Sequence, residues 1–278
     1  MEILVPVKWS ALRTEIDPLT GVSTTLDGRY GVDPASEAAL EVALRLAEPV
    51  AAQVVAVTVG PPPADSVLRT ALAAGVAEAV RIEAPAGASS SAVAAAVAEV
   101  SGGADLVLAG AWSEDGGSAA VAPMIAAHLG RPQACGLLDL RWDGDALVGE
   151  RRLPAGRRER LRIRPPAVVS VEPATASLRR ASLPALLAAE RAGISVVRPP
   201  RPIEAPRPAG IEPYRPRPRT VPVPPAGDDH RARIAALSGT AETVQRAQQV
   251  RLEPPQAAAA IVDALRRWGY LEEPSVER

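Results

Sequence analysis

Short apolar runs alternate with amphipathic helical stretches through the first 130 residues, and this alternation restricts the fold more than any other feature. The spacing of apolar residues predicts buried strands at 2–7, 53–59, 79–83 and 105–109 and helices at 34–48, 64–74, 89–100 and 118–129. Strands separated by helices of this length are typical of a parallel sheet covered on both faces. The sequence therefore predicts a doubly wound α/β fold with a mainly parallel sheet.

Three other segments depart from this alternation of strands and helices. Residues 13–32 alternate apolar and polar side chains between turn signals, which predicts a hairpin excursion. Strands at 137–142, 146–153 and 158–164 predict an antiparallel appendage covering about 133–165. The run AVVSV at 167–171 returns to the core sheet, and a short helix follows at 182–192.

The C-terminal third changes character at a proline-rich stretch. Residues 199–225 contain 11 prolines, so an extended polyproline-like chain or a linker is expected there. We expect a nucleotide-binding core over 1–195, a proline-rich extended arm over 196–238 and a C-terminal segment over 239–278. A final helix at 255–268 places Ala258, Ile261, Val262, Leu265 and Trp268 on one face. Because so short a helix is not stable alone, it is predicted to dock on its own domain or on a partner, and the long arm before it favours a partner.

The composition argues against several classes of function. Basic and acidic side chains nearly cancel, at 31 against 32, so nothing indicates a nucleic-acid partner. With one cysteine and two histidines, an internal disulfide, a cysteine-based metal site and a His-rich metal site are all excluded. No G-x-S-x-G, G-x-G-x-x-G or Walker A pattern occurs. Without a signal peptide or an apolar run of membrane length, a cytoplasmic protein with no direct membrane insertion is expected.

One stretch, 104–124, combines a strand, an acidic Gly-rich loop and a helix start. Such a corner lies at the carboxyl end of a parallel sheet, where ligands bind, and the helix N–H groups favour an anion. The alternative is an ordinary strand-to-helix turn in which Ser118 caps the helix.

Six segments in order resemble the β subunit of electron transfer flavoproteins. They are EILVPVKW, GVDPASEAALEVALRLAE, VVAVTVGP with LRTALAAGV, ADLVLAG with DGGSAAVAPMIAAHLGRPQA, RIRPPAVVSVEP with RRASLPALLAAE, and the tail around QVRLEPPQAAAAIVDALRRWGYL. The resemblance implies a three-layer, adenine-nucleotide-binding Rossmann-like fold. The composition suggests a high-GC bacterium, so we expect a divergent, actinobacterial-type branch of the family. The resemblance implies a heterodimer with an α subunit that supplies most FAD contacts, and a structural AMP in the β subunit. It also implies an electron carrier, not an enzyme, that takes electrons from dehydrogenases and passes them to a membrane quinone oxidoreductase or another acceptor.

The resemblance carries the family's AMP-contacting positions onto four segments of this chain. They are Pro6; Asp33, Pro34, Ala35 and Ser36; Val59 and Gly60; and Gly110 with Asp115, Gly116, Gly117, Ser118, Ala119, Ala120 and Val121. N–H groups around 117–121 would take the phosphate, and backbone near Val59 and Gly110 would flank the adenine. Asp33 would cap its helix or accept from a ribose hydroxyl. Many members carry a side-chain amide where this chain has Ala120.

Two alternatives concern the same positions. Bifurcating members of the family hold a second FAD in place of AMP. A stand-alone, stress-protein-like regulatory module would share the fold, although it has no use for an arm and a docking helix.

The segment RRASLPALL at 179–187 resembles the family's recognition loop for partner dehydrogenases. Ala181, Ser182, Leu183 and Pro184 are the predicted contact residues, with Leu183 as the exposed anchor. The alternative is that Leu183 packs against its own helix.

Overall fold

The computed structural model describes residues 1–25, 29–206, 229–237, 251–268 and 270–271. The chain divides into two units, Met1–Tyr214 and Arg215–Arg278. The first unit carries the α/β fold. The described part of the second unit contains two helices.

The first unit alternates strands and helices in the predicted order. Its strands are β1 (Glu2–Pro6), β2 (Trp9–Ala11), β3 (Thr14–Ile16), β4 (Ser23–Thr25), β5 (Tyr30–Val32), β6 (Gln53–Gly60), β7 (Glu78–Glu83), β8 (Leu106–Gly110), β9 (Gln133–Asp143), β10 (Ala146–Arg152), β11 (Arg158–Ile163), β12 (Ala167–Val171) and β13 (Ser195–Val197). Its helices are α1 (Pro34–Ala47), α2 (Asp65–Ala74), α3 (Ser90–Val100), α4 (Val121–Leu129) and α5 (Leu183–Arg191).

Nine of the described strands form one sheet in the order β11-β10-β9-β12-β8-β1-β6-β7-β13. The run from β9 to β13 is parallel, and β10 and β11 extend it antiparallel. From β1 the chain builds the sheet to one side with β6 and β7 and then to the other side with β8. The doubly wound α/β prediction is confirmed, and this reversal marks the edge where such sheets bind ligands.

The core lies on both faces of the sheet because strand side chains alternate between them. On β1, Ile3 and Val5 join a buried cluster with α1 and α2, while Leu4 joins a second cluster with α3 and α4. Buried parallel strands must be apolar on both faces, which is why β1 and β8 read as continuous apolar runs.

Helix ends follow the local sequence signals. Asp33 caps α1 through hydrogen bonds from the N–H groups of Ala35 and Ser36, and Ser89 caps α3. Gly75 and Gly130 end α2 and α4 in the left-handed conformation that glycine adopts at low cost.

Helix α4 begins three residues later than the sequence predicts. Gly117 and Ala119 have φ angles of 59° and 53°, in the left-handed region, so a right-handed helix cannot run through them. The cap position is Ala120, whose side chain makes no capping hydrogen bond. Ser118 therefore does not cap α4, and the expectation of a Ser118 N-cap was wrong.

Two further expectations differ in detail. The strands expected as an appendage continue the central sheet, because β9 pairs in parallel with β12. The hairpin excursion is present as two antiparallel pairs, β2 with β5 and β3 with β4. Beyond residue 195 the chain still contributes to the first unit, since β13 pairs with β7 and Ile203 packs on the α3–α4 cluster.

The second unit contains α6 (His230–Leu237) and α7 (Pro254–Arg267). Helix α7 matches the predicted docking helix within one residue at each end. It has no buried residue, and Ile261 and Trp268 are 60% and 70% exposed. Most of the proline-rich stretch, from 207 onward, lies outside the described residues. Within the described part of the chain, no helix is both long and apolar enough to cross a membrane.

Candidate functional site

A cavity of about 360 Å³ lies where β1, β6 and β8 reach their carboxyl ends. Pro6, Val59 and Gly110, at or next to the ends of these three strands, line it. The sheet reverses its winding direction between β1 and β8, which leaves a crevice at this edge. The volume lies in the range of pockets that take small ligands.

Most residues predicted to bind a nucleotide come together around this cavity. Those that line it are Pro6, Asp33, Ser36, Val59, Gly110, Asp115, Gly116, Ser118, Ala119, Ala120 and Val121. Pro34 and Ala35 instead line a neighbouring cavity of about 110 Å³, which they share with Asp33. Gly60 and Gly117 line neither of the two. The structure thus brings four separate segments of sequence to one place.

The carboxylate of Asp33 is used inside the protein. It accepts hydrogen bonds from the N–H groups of Ala35 and Ser36, both at 3.1 Å, and from the Ser36 hydroxyl at 2.6 Å. Burial raises the pKa of Asp33 above its ordinary value despite these hydrogen bonds and the nearby Lys8 charge. Asp33 therefore acts as the cap that positions the first turn of α1 at the cavity.

Gly110 allows α1 and β8 to approach each other closely. A Cβ atom on Gly110 would lie 2.8 Å from the carbonyl carbon of Ala35 and 2.9 Å from its Cβ. Real Cβ atoms do not approach backbone so closely, so a side chain here would push the helix away. The close approach of α1 to β8 explains why position 110 is a glycine.

Hydrogen bonds within the loop between β8 and α4 hold its conformation beside the cavity. The Gly117 N–H donates to the Ser113 carbonyl at 2.7 Å, and the Ala120 N–H is 3.4 Å from the Ser118 hydroxyl. Val121 opens α4, and the first N–H groups of a helix have no partner within it. An anion at this helix start would be favoured by these groups and by the helix dipole.

A second helix start faces the same region. Ser90 is the first residue of α3, and its hydroxyl lies 3.1 Å from that of Ser118. Both serines line the cavity. Ser90 was not predicted as a site residue, because its proximity to Ser118 depends on how α3 and α4 pack together.

Lys8 links the end of β1 to the β8–α4 loop. Its ammonium donates to the Ser113 hydroxyl at 2.9 Å and pairs with the Asp115 carboxylate. Burial alone would raise the pKa of Asp115, but the hydrogen bond and charge of Lys8 outweigh it, and the pKa is lowered. Lys8 was not among the predicted site residues. The sequence signal that could have indicated it is that Lys8 is the single lysine of the chain.

Aromatic side chains form another part of the wall. The rings of Trp9 and Tyr30 stack with their centroids 4.2 Å apart, and Trp112 also lines the cavity. In the pairing of β2 with β5, Trp9 lies opposite Val32 and Ala11 lies opposite Tyr30. Trp9 and Tyr30 are therefore diagonal neighbours, and aromatic side chains can reach each other across such a diagonal. Sequence reasoning missed this wall, because the excursion carries no nucleotide-binding motif.

The described residues that line the cavity include serine hydroxyls, the carboxylates of Asp33 and Asp115 and the ammonium of Lys8. No histidine or cysteine is among the described residues that line it. Within the described ranges, no group of three or more His, Cys, Asp or Glu residues is placed to hold a metal ion. The arrangement can hold a polar ligand and orient it.

A second predicted feature, the partner-recognition segment, lies at the start of α5. Ser182 caps the helix, accepting from the Ala185 N–H at 3.3 Å, and Leu183 is 68% exposed. Leu183 therefore does not pack into the core. Leu186 and Leu187 are also exposed on the same helix. Ala181 is half-buried and Pro184 is exposed.

Two arginines hold this segment on the core. The backbone N–H and Nε of Arg179 donate to Glu41 at 3.0 and 2.9 Å, and Glu41 on α1 is 4% exposed. Arg69 on α2 donates to the carbonyls of Ala189 and Glu190, each at 2.7 Å, near the end of α5. The exposed leucines thus stand on a helix that is anchored at both ends.

Comparison with known proteins places the chain in one family. Residues 20–202 match the model of the electron transfer flavoprotein domain. The chain is 32% identical to the human electron transfer flavoprotein subunit beta over 212 residues, which cover 72% of this chain and 82% of the human protein. It is 35% identical to the same subunit of Thermoanaerobacterium thermosaccharolyticum over 162 residues, covering 56% and 62% of the two chains. It is also 33% identical to the acryloyl-CoA reductase electron transfer subunit gamma of Anaerotignum propionicum over 132 residues, covering 45% and 49%.

Proposed function

The chain belongs to the electron transfer flavoprotein β-subunit family, and from this premise we propose that its cavity holds an AMP molecule with a structural role. We further propose that the chain pairs with an α subunit, which contributes most of the contacts to FAD. The heterodimer carries electrons from dehydrogenases to a membrane quinone oxidoreductase or another acceptor. FAD, when bound, supplies the redox chemistry. The residues of this chain bind AMP and help to orient and shield the FAD.

The observation that carries the AMP proposal is the meeting of two helix starts at one cavity. The N-termini of α3 and α4 both face it, and the Ser90 and Ser118 hydroxyls lie 3.1 Å apart between them. Two converging helix starts suit a phosphate group. The N–H groups of Ser118, Ala119 and Val121 would bind this phosphate together with the two hydroxyls.

The other walls fit a planar base. Pro6, Val59 and Gly110 present apolar surface and backbone at the three strand ends. Nucleotide pockets typically combine such apolar walls with a few placed polar groups. We assign the adenine to this part of the cavity. The carboxylate of Asp33 already caps α1, so we give it a positioning role instead of a contact to ribose.

The recognition segment supports the proposal of dehydrogenase partners. Leu183, with Leu186 and Leu187, forms an exposed apolar face on an anchored helix. An apolar anchor that is already held in place loses little conformational entropy on binding, and such residues are frequent hot spots. Ala181, Ser182 and Pro184 would form the rim around Leu183.

Helix α7 supports the proposal of an α-subunit partner. On its apolar face Ile261 and Trp268 are exposed, while Val262 and Leu265 are half-buried. A 14-residue helix has marginal stability in water unless that face is covered. We propose that residues 239–278 form a docking segment for the α subunit. The part of the predicted arm over 196–238 that follows Ile203 would join this segment to the core.

Co-expression of this chain with an α-type subunit tests the function. The purified complex is expected to be yellow and to accept electrons from a partner dehydrogenase. Mass spectrometry of the nucleotides released from it is expected to show one AMP and one FAD for each heterodimer.

Other outcomes would contradict parts of the proposal. Two FAD molecules and no AMP would indicate a bifurcating flavoprotein. A stable monomer that forms no flavoprotein with any α-type subunit would favour a stand-alone nucleotide-binding module and reject the heterodimer.

A further inference from the structure

Lys8 stands out chemically in this chain. It is the single lysine among 31 basic side chains, so the sequence uses arginine at every other basic position. The two side chains differ: arginine presents a planar fork, whereas lysine presents a compact charge on a flexible stem. A chain that otherwise uses arginine throughout therefore has a lysine at the one basic position beside the cavity.

The geometry puts this charge next to the phosphate-binding loop. The Nζ atom of Lys8 donates to the Ser113 hydroxyl at 2.9 Å and would lie 3.3 Å from a Cβ added at Gly116. Ser113, Gly116 and Ser118 all line the cavity. Among the described lining residues, Lys8 carries the positive charge, and Asp33 and Asp115 carry the negative ones.

Both carboxylates are engaged, but in different ways. Asp33 is 1% exposed and caps α1, so it does not leave its hydrogen bonds without disturbing the helix. Asp115 lies on the loop, and its side chain is 26% exposed. The Lys8 side chain is 46% exposed, so this ion pair can separate with both groups remaining hydrated.

We propose that Lys8 neutralises the phosphate of the bound nucleotide and that Asp115 is the competing anion that holds Lys8 when no nucleotide is present. This inference rests on the proposed nucleotide site. When the phosphate binds between α3 and α4, the ammonium exchanges the Asp115 carboxylate for a phosphate oxygen and keeps Ser113 as its second acceptor. The Asp115 side chain then turns towards solvent.

This exchange has two opposite consequences for affinity. Removing Lys8 takes a charge-assisted hydrogen bond from the phosphate and should weaken binding. Removing the Asp115 charge takes away the competitor and should strengthen binding. A purely structural ion pair predicts that both changes weaken binding, because both would loosen the loop.

The first experiment observes the ammonium directly. The full chain is expressed with ¹³Cε-labelled lysine, which gives one lysine resonance, and is titrated with AMP or with adenosine, alone and in complex with unlabelled α subunit. The Lys8 resonance is expected to shift with AMP and not with adenosine, which lacks the phosphate. An equal shift with both ligands, or no shift while calorimetry shows AMP binding, would overturn the inference.

The second experiment measures AMP and adenosine affinity of variants by calorimetry. Lys8→Met is expected to weaken AMP binding roughly tenfold. Asp115→Asn is expected to strengthen it about two- to fivefold, as expected for a half-exposed pair. The matched control is Glu114→Gln, which removes an acidic charge from the same loop. Glu114 does not line the 360 Å³ cavity, so this change should alter AMP affinity less than twofold. Adenosine affinity should be the same in all of these proteins.

The outcomes separate this inference from the function it rests on. AMP binding that is unchanged in Lys8→Met, or weakened in Asp115→Asn, would reject the exchange while leaving the nucleotide site in place. A wild-type protein that binds no AMP, although it forms a yellow complex with the α subunit, would reject both the AMP site and the role of Lys8.

Discussion

Gly110 shows how one missing side chain permits the site to form. The first turn of α1 lies against the end of β8, with 2.8 Å between the position of a Gly110 Cβ and the Ala35 carbonyl carbon. The cap at Asp33 and the end of β8 are thereby brought to the same cavity.

The change Gly110→Ala is expected to destabilise the protein by about 1–3 kcal/mol, because backbone must shift to admit the methyl group. Urea unfolding followed by circular dichroism measures this change. Gly103→Ala is the control, since a Cβ there meets nothing within 4 Å and φ is not positive; it should change the free energy of unfolding by less than about 0.5 kcal/mol. Equal effects at the two glycines would contradict the close-approach argument.

Leu183 is the residue on which partner recognition is proposed to depend. Its side chain is 68% exposed in the first position of α5, where it contributes little to the stability of the chain itself. Full burial of such a side chain against a partner stabilises a complex by about 1.5–3 kcal/mol.

Leu183→Ala is therefore expected to raise the KM of a partner dehydrogenase for the flavoprotein about tenfold while leaving the unfolding midpoint unchanged. Steady-state assays with the complete heterodimer measure this effect. Leu19→Ala is a matched control at a leucine that is 79% exposed in the β3–β4 turn. A similar KM change in the control, or none at Leu183, would reject the recognition role.

At the scale of elements, α1 connects the cavity to the recognition segment. Its first turn is capped by Asp33 at the cavity, and two turns later Glu41 receives Arg179, which lies four residues before Leu183. Glu41 also pairs with Arg45 on its own helix. A change at Glu41 should thus affect the anchoring of α5 and leave the β8–α4 loop intact.

Glu41→Gln is expected to destabilise the protein by about 1–3 kcal/mol near neutral pH, because a buried charged acceptor of Arg179 is lost. Burial alone would raise the pKa of Glu41, but hydrogen bonds from Arg179 and Arg45 lower it below its ordinary value of 4.5. A lowered pKa means that the stabilisation is present above about pH 4.5 and is lost as the pH falls through the folded-state value.

Urea unfolding of both proteins between pH 3 and pH 7 tests this prediction. The difference between wild type and Glu41→Gln is expected to shrink below pH 4.5. The control is Glu48→Gln, which removes a second acceptor of Arg179 whose side chain is 63% exposed, and it should cost less than about 1 kcal/mol. A difference that stays constant across this range would show that the Glu41 charge is not responsible.

At the scale of the whole molecule, the chain consists of an α/β unit and a second unit in which the described elements are α6 and α7. Helix α7 has no buried residue, and its apolar face is at most half-buried, at Val262 and Leu265. A face of this kind is expected to act in assembly.

Trp268→Ala is expected to reduce co-purification with the α subunit, because the tryptophan is 70% exposed at the end of this apolar face. The thermal unfolding of the first unit should not change. Gln256→Ala, at an exposed position on the same helix, is the control and should leave co-purification unchanged. Normal heterodimer formation by Trp268→Ala would contradict the docking role of α7.

Much of the architecture could be predicted because it depends on local pattern. Apolar periodicity located α1 and the strands β1, β6, β7 and β8, and the resemblance to the family pointed to Pro6, Val59 and Gly110 at the ends of three of these strands. The start of α4 was missed, because a serine followed by apolar residues looks like a capped helix whether or not Ala119 adopts a positive φ. The recognition segment was found through its resemblance to the family, since exposure of one leucine leaves no local signal.

The sequence by itself determined the alternation of strands and helices, the family and the segments that reach the cavity, because these depend on short-range periodicity and on motifs read along the chain. The tertiary structure alone decided that Lys8 meets Asp115, that Ser90 meets Ser118 and that Arg179 binds Glu41. These partners are 28 to 138 residues apart, and atoms so distant in sequence come within hydrogen-bonding distance only when strand register and helix packing are set. The proposed chemistry of the β8–α4 corner depends on two of these long-range contacts, the one between Lys8 and Asp115 and the one between Ser90 and Ser118.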